Sequence, residues 1–279
     1  MAVNGAKRWL KLGIQFQPSE IAKIGLIIFY ATYLTNHRDE LKDLLKGFFK
    51  PFIYLIPVVG VLLVFQTHLS ASIIIILVTA VMMILAGSRL RYFLTFGSAG
   101  AVGGVSLIVI LAKNVEGWAF RLKRITSFLN PWEDIRGESW QIVQSLYAIG
   151  SGGLFGAGLG ASKQKYLYIP EPHNDFIFAI LAEELGFVGC FIVILLFAIF
   201  IWRGALIAIK APDMFGSLLA GGITALIGLQ AIINIAVVTS SIPVTGMALP
   251  FFSYGGTSLI ILLCSTGILF NISRQGNKL

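Results

Sequence analysis

Residues 170–202 read PEPHNDFIFAILAEELGFVGCFIVILLFAIFIW, and this stretch decides which solvent the chain folds in. From Phe187 to Trp202 it carries no charged side chain, and a bilayer is crossed by roughly 20 apolar residues. Six further apolar segments lie at about 20–36, 51–66, 69–87, 92–112, 214–239 and 257–272, beside this one at 175–202. The whole chain agrees: of 279 residues 57% are hydrophobic and 12% charged, and the mean hydropathy is +0.86, well beyond a soluble domain. The expected fold is all-α, a polytopic membrane helix bundle of seven transmembrane helices in a single membrane domain, 1–279, with a long extracellular loop at about 113–174.

The formal charge of +8 does not point to nucleic acid, because Lys and Arg are divided among loops rather than gathered in a tail or stripe. Anionic lipid headgroups and a phosphate-bearing ligand fit that distribution better. Cys190 and Cys264 each sit inside an apolar span and read as small packing residues rather than redox groups.

Short loops set orientation through their Lys and Arg content. Arg38, Lys42, Lys46 and Lys50, then Arg89 and Arg91, then Arg203 and Lys210 fall on one side, with Arg274 and Lys278 in the tail. That side, with the C-terminus, is expected to be cytoplasmic, in a multi-pass membrane protein. The long segment 113–174 then faces outward, since long loops are largely exempt from the rule. Lys7, Arg8 and Lys11 fit poorly, because they would lie outside with nothing to carry them across. The expectation is that membrane helices are missing upstream of Met1, the alternative being a genuine seven-span protein.

Loops as long as 113–174 are usually functional or disordered, and Trp118, Trp132, Trp140, Tyr147, Tyr166 and Tyr168 argue against disorder. Ile142, Leu146 and Ile149 have helical spacing, which predicts a short interfacial helix over Ser139–Ile149. The run GSGGLFGAGLGAS, 150–162, sets Gly152, Gly156 and Gly160 four apart. Its favoured role is a smooth packing face if helical. The alternative is a loop whose amides cup a diphosphate.

Asp175 stands at the mouth of the decisive span, with Glu171 and His173 before it and Glu183 and Glu184 inside. Carboxylates beside a membrane span are functional candidates. The bland reading makes Asn174 or Asp175 a helix N-cap, and lets Glu183 and Glu184 bond neighbouring helices. In QPSEIAK, 17–23, Pro18 suits a first helical turn and Lys23, about one and a half turns in, is expected to be a buried or half-buried cation. Lys23 either snorkels outward or pairs with a carboxylate, and a Lys23–Asp175 pair would keep the Asp ionised as a base. The stretch SSIPVTGMALPFFSYGGTS, 240–258, reads as a tight connector fixed by Pro and Gly, and Asn234 as an amide that bonds between helices rather than to a ligand.

Four motifs in order carry a resemblance: NGAKRW with QPSEIAK, FLNPWEDIRGESWQIVQSLYAIGSGG at 128–153, KQKYLYIPEPHNDFIFAILAEELG at 163–186, and NIAVVTSSIPVTGMALPFFSYGGTS at 234–258. Through them nearly the whole chain resembles the SEDS family of FtsW, RodA and SpoVE, and looks nearer the FtsW and SpoVE branch. The resemblance implies a ten-helix protein matched from its fourth helix to its tenth. It also implies polymerisation of lipid II into glycan strands alongside a class B penicillin-binding protein and other divisome or elongasome membrane proteins. Asp175 takes the place of the family's essential Asp, Lys23 that of its QPSE lysine, and Arg8 that of an Arg in the preceding motif. Two departures stand out. Many members have Gln-Pro-Asp-Leu-Gly-Thr where this chain has Gln66, Thr67, His68, Leu69, Ser70 and Ala71, and Asn174 replaces a Thr.

On this reading Asp175 is the catalytic base. Arg8, Lys23, Arg124, Lys165, Glu171 and His173 bind lipid II and the undecaprenyl-diphosphate-linked glycan, with the cations steadying the departing diphosphate. No cofactor is evident. A divalent cation, Mg2+ or Mn2+, could assist, though no ligand cluster demands one. The rival expectations are a flippase of the lipid-linked precursor and a non-catalytic scaffold for the penicillin-binding protein.

Overall fold

The computed structural model describes residues 10–12, 14–64, 69–114, 128–133, 135, 137, 139–164 and 173–276. A two-stranded antiparallel hairpin, β1 (Leu10–Leu12) and β2 (Ile14–Phe16), pairs Leu10 with Phe16 and Leu12 with Ile14. Everything regular after it is helical: α1 (Pro18–Asn36), α2 (Lys50–Val64), α3 (Leu69–Leu85), α4 (Leu90–Asn114), α5 (Trp140–Gly152), α6 (Ile177–Ile209), α7 (Met214–Val238) and α8 (Gly256–Gly276), with a π-helical turn, Leu45–Phe49, leading into α2. Each of the seven apolar segments read from the sequence overlaps a helix, and the one expected at 175–202 runs on to Ile209. By length and composition, four helices among the described residues qualify as membrane spans, at Leu45–Leu63, Ile177–Ile209, Met214–Val238 and Gly256–Gly276, and Ser70–Leu85 is a shorter apolar helix. The chain is a multi-pass membrane protein of helical fold.

The chain divides into two compact units. One comprises Met1–Phe93, Phe197–Gln230 and Gly255–Leu279, the other Leu94–Leu196 and Ala231–Tyr254. In the first, α1 starts with Pro18, whose missing N–H costs nothing in a first turn, and Ser19, Lys23, Ile27, Ala31 and Leu34 bury one face at helical spacing. Tyr30 is fully buried and its hydroxyl donates to the Pro51 carbonyl at 2.8 Å, which ties α1 to the start of α2. Small residues let helices meet closely where lipid offers no hydrophobic push. Gly222 of α7 thus lies against Ile27 of α1 and Met82 of α3, and Gly204 against Thr224.

In the second unit, α5 has the helical register expected of Ser139–Ile149 but packs inside the protein. Ile142, Val143 and Ala148 are buried, and Ser145 Oγ donates to the Val238 carbonyl at the end of α7 at 2.7 Å. α6 is interrupted at Gly186, whose φ of 65° leaves the helical region, a conformation that an L side chain strains to adopt. The residues flanking this break behave differently. Phe176, Phe178, Ala179, Ile180, Ala182 and Glu183 are buried before it, while Phe187, Phe191, Ile192 and Leu196 are exposed after it.

Candidate functional site

The glycine run proves to be the counterpart of that break. It is helical only as far as Gly152 and continues as an irregular loop, so the expected helical face exists in its first turn alone. Yet its role is packing. Phe187 N–H donates to the Gly153 carbonyl at 2.9 Å and Val188 N–H to the Leu154 carbonyl at 3.1 Å. In return, Ala157 and Gly158 donate to the Glu183 and Glu184 carbonyls at 2.9 and 3.1 Å. Backbone groups that a broken helix would otherwise leave unsatisfied, at several kcal/mol apiece in a lipid setting, therefore find partners. Gly156, with φ of 80°, faces the Glu184 carbonyl and Gly186 so closely that a Cβ would collide with backbone.

Glu183 extends the same joint. Its buried carboxylate accepts from Ser162 Oγ at 2.5 Å, Lys163 N–H at 2.9 Å and Gln164 N–H at 3.3 Å, and Glu184 accepts from Ser162 N–H at 3.3 Å. The expected partner was a neighbouring helix; the observed one is the end of the glycine run, Ser162, with Lys163 and Gln164 after it. Hydrogen bonds of this number explain how a charge is kept among apolar helices.

Asp175 occupies the turn His173–Phe176 ahead of α6, half-buried. The turn is grasped by the last connector and by α7. Asn234 Nδ2 donates to the Asp175 carbonyl at 2.8 Å and to the Met247 carbonyl at 2.6 Å. Ser253 Oγ donates to the Asn174 carbonyl at 2.6 Å while accepting from Leu249 N–H at 2.7 Å. Tyr254 N–H donates to the His173 carbonyl at 2.8 Å. On the side-chain side, a Cβ on Gly246 would stand 3.0 Å from Asp175 Oδ2, so only a glycine there leaves the carboxylate its full room. Two oxygens close to this loop, Asn234 Oδ1 and Thr245 Oγ1, are buried with no hydrogen-bond partner among the described residues.

Of the other residues expected at the site, His173 is exposed beside Asp175. Lys23 is buried, its Nζ 2.7 Å from Glu20 Oε1. Its observed partner is thus on its own helix, and it belongs to the first compact unit whereas Asp175 belongs to the second. Arg8, Arg124, Lys165 and Glu171 lie outside the described residues. Among the described residues no three His, Cys, Asp or Glu side chains group as a metal site. Reading the residues one by one missed Gly246 as a neighbour of Asp175 and Asn234 as the support of its turn. A lone amide inside an apolar span was the available signal for Asn234.

A family model described as "Cell cycle protein", covering FtsW, RodA and SpoVE, matches residues 1–278. The chain is 45% identical to stage V sporulation protein E of Bacillus subtilis, over 98% of its own length and 73% of the relative's. It is 44% identical to a Geobacter protein named "Probable peptidoglycan glycosyltransferase FtsW", over 98% and 72% of the two lengths. Among solved structures it is similar to a chain of a peptidoglycan synthase complex in which polymerization and crosslinking are coordinated. The TM-score is 0.80 and the identity 29%, with 99% of this chain and 75% of that one covered. It is also similar to the rod shape determining protein RodA of Thermus thermophilus, with a TM-score of 0.66, 29% identity and coverage of 98% and 71%.

Proposed function

Since the chain belongs to the FtsW/RodA/SpoVE family, we propose that it is a peptidoglycan glycosyltransferase that polymerises lipid II into glycan strands, with Asp175 as its general base. The transferase class rests on relatives at 40–45% identity over most of the chain. The site rests on one observation: a carboxylate at the mouth of a membrane helix whose turn is held from Asn234, Ser253 and Tyr254, with Gly246 leaving space beside Oδ2. Such fixed placement is what proton transfer in a transition state requires.

Asp175 takes the proton from the 4-hydroxyl of the acceptor sugar as that oxygen attacks the anomeric carbon of the donor. The bond from that carbon to the diphosphate oxygen breaks, and its electron pair leaves with the polyprenyl diphosphate. A single displacement turns an α-linked diphosphate into a β-1,4 glycan. Arg8, Arg124 and Lys165 are the proposed counter-charges of the departing group. Lys23, observed beside Glu20, is the remaining proposed counter-charge. His173 and Glu171 line the approach, and the buried oxygens of Asn234 and Thr245 favour a ligand rich in hydroxyl groups. A divalent cation, when bound, would steady the diphosphate further.

Basic short loops support a cytoplasmic C-terminus and an outer position for Asp175. A class B penicillin-binding protein is the proposed partner, by analogy with the synthase complex. A transporter reading would draw on the discontinuous helix, but the backbone groups around Gly186 are already bonded to the glycine loop. Purified protein given lipid II in vesicles tests the choice. Glycan strands are expected; movement of lipid II between leaflets without strands would replace the assignment with a flippase, and neither activity would leave a scaffold.

A further inference from the structure

We propose that the glycine-rich loop is also a membrane-interface anchor, which seats Leu154, Phe155 and Leu159 at the boundary between headgroups and acyl chains on the Asp175 side of the bilayer. The loop's depth is set by α6. Gly153 and Leu154 accept from the amides of Phe187 and Val188, so the loop lies level with the residues just past the Gly186 break. That level is where the surroundings of α6 change. Before it the helix is covered by protein; from Phe187, 64% exposed, through Phe191 and Leu196 it presents an apolar face that none of the described residues covers. The segment Phe187–Ile209 alone exceeds the roughly 20 residues that a span needs, so the turns before Gly186 are not required inside the hydrocarbon. The break therefore marks the edge of the lipid-facing span.

Three large apolar side chains project from the loop at that edge: Phe155 and Leu159 are each 81% exposed and Leu154 is 65% exposed. Leu154 is bonded to α6 directly, and the bonds of Ala157 and Gly158 to α6 hold the chain between Phe155 and Leu159. Lys163, only a few residues on, is exposed and polar, as befits a chain returning to water. Apolar tips flanked by polar residues, continuous with a lipid-facing helix surface, match an interfacial anchor rather than a solvent-facing loop. Anchored in this way, the joint gives the polar turn around Asp175 a fixed height above the acyl chains.

The test uses single cysteines at 155, 159, 163 and 191 in protein whose Cys190 and Cys264 are replaced by Ser, each labelled with a nitroxide and reconstituted in nanodiscs of phosphatidylethanolamine and phosphatidylglycerol. Collision rates with oxygen and with a water-soluble nickel chelate are compared. At 155 and 159 the oxygen-to-nickel ratio should be several-fold above that at 163 and approach that at 191. Nickel-dominated collisions at 155 and 159 would overturn the proposal, as would protection from both reagents, which indicates cover by protein. Hydroxyl-radical footprinting of the unmodified protein in the same nanodiscs guards against mutants that misfold. Phe155 should be shielded like Phe191, and labelling as strong as that of the 84%-exposed Tyr254 would overturn the anchor.

Discussion

α6 is held at its start mainly by side chains, with one backbone bond from Tyr254, and at Gly186 by backbone. Around Asp175 the grip comes from Asn234 and Ser253, which reach carbonyls of the turn from α7 and from the 240–254 connector. At Gly186 two backbones exchange hydrogen bonds in both directions, and glycines make the approach possible. A side-chain grip can be removed one bond at a time, leaving a turn that still folds. A backbone joint has no such gradation, because any added atom separates the loop from the helix at several bonds together. The two kinds of hold suit their places: the joint supports the proposed membrane edge, and the side-chain grip fixes the turn that carries the proposed base.

The contrast predicts a ranking of damage. Gly156→Ala should be the most severe, because its Cβ meets the Glu184 carbonyl and its positive φ is strained as well. A loss on the order of 4 kcal/mol or more is expected, read as failure to accumulate folded protein or as a much lowered Tm in detergent. If this variant melts like the parent, the joint is not what holds α6. Asn234→Ala should cost less, about 1–3 kcal/mol for carbonyls left without their donor. It should also lower kcat for glycan synthesis while the protein stays folded; unchanged kcat would detach the grip from the chemistry. Gly246→Ala should have the smallest effect on stability, within about 1 kcal/mol. It should still slow polymerisation, because a Cβ 3.0 Å from Oδ2 makes the carboxylate give way. Full activity in this variant would show that the room beside Asp175 is not used.

Apolar length made the helices legible: α7 at Met214–Val238 was expected at 214–239, and α8 at Gly256–Gly276 at 257–272. Helix α1 was also legible although it is not among the four helices apolar enough to count as spans. Its Glu20 and Lys23 lower the average, and their pairing on one helix face is what reconciles them with burial. The break at Gly186 was hidden, because one glycine within an apolar run does not alter its periodicity. Its partner, the glycine loop, was read as a packing element without any clue to what it packs against, since the contact joins Gly156 to Gly186 across chain that no local pattern spans. At the site, Asp175 stood out because a carboxylate at a membrane mouth is costly. Asn234 was legible as an amide that bonds between helices but not as the support of this turn, and Gly246 not as a neighbour of Asp175, because those roles lie in bonds and distances to residues far away in the chain.

The proposed role of Asp175 is that of the base in glycan polymerisation. The direct measurement is strand formation from lipid II by the purified Asp175→Asn protein, with its Tm and membrane insertion compared with the parent's. Asn keeps the size of the side chain and leaves the carbonyl held by Asn234 in place, so the variant should fold and insert normally and make no strands. Strand synthesis at the parent's rate by the folded variant would contradict the account.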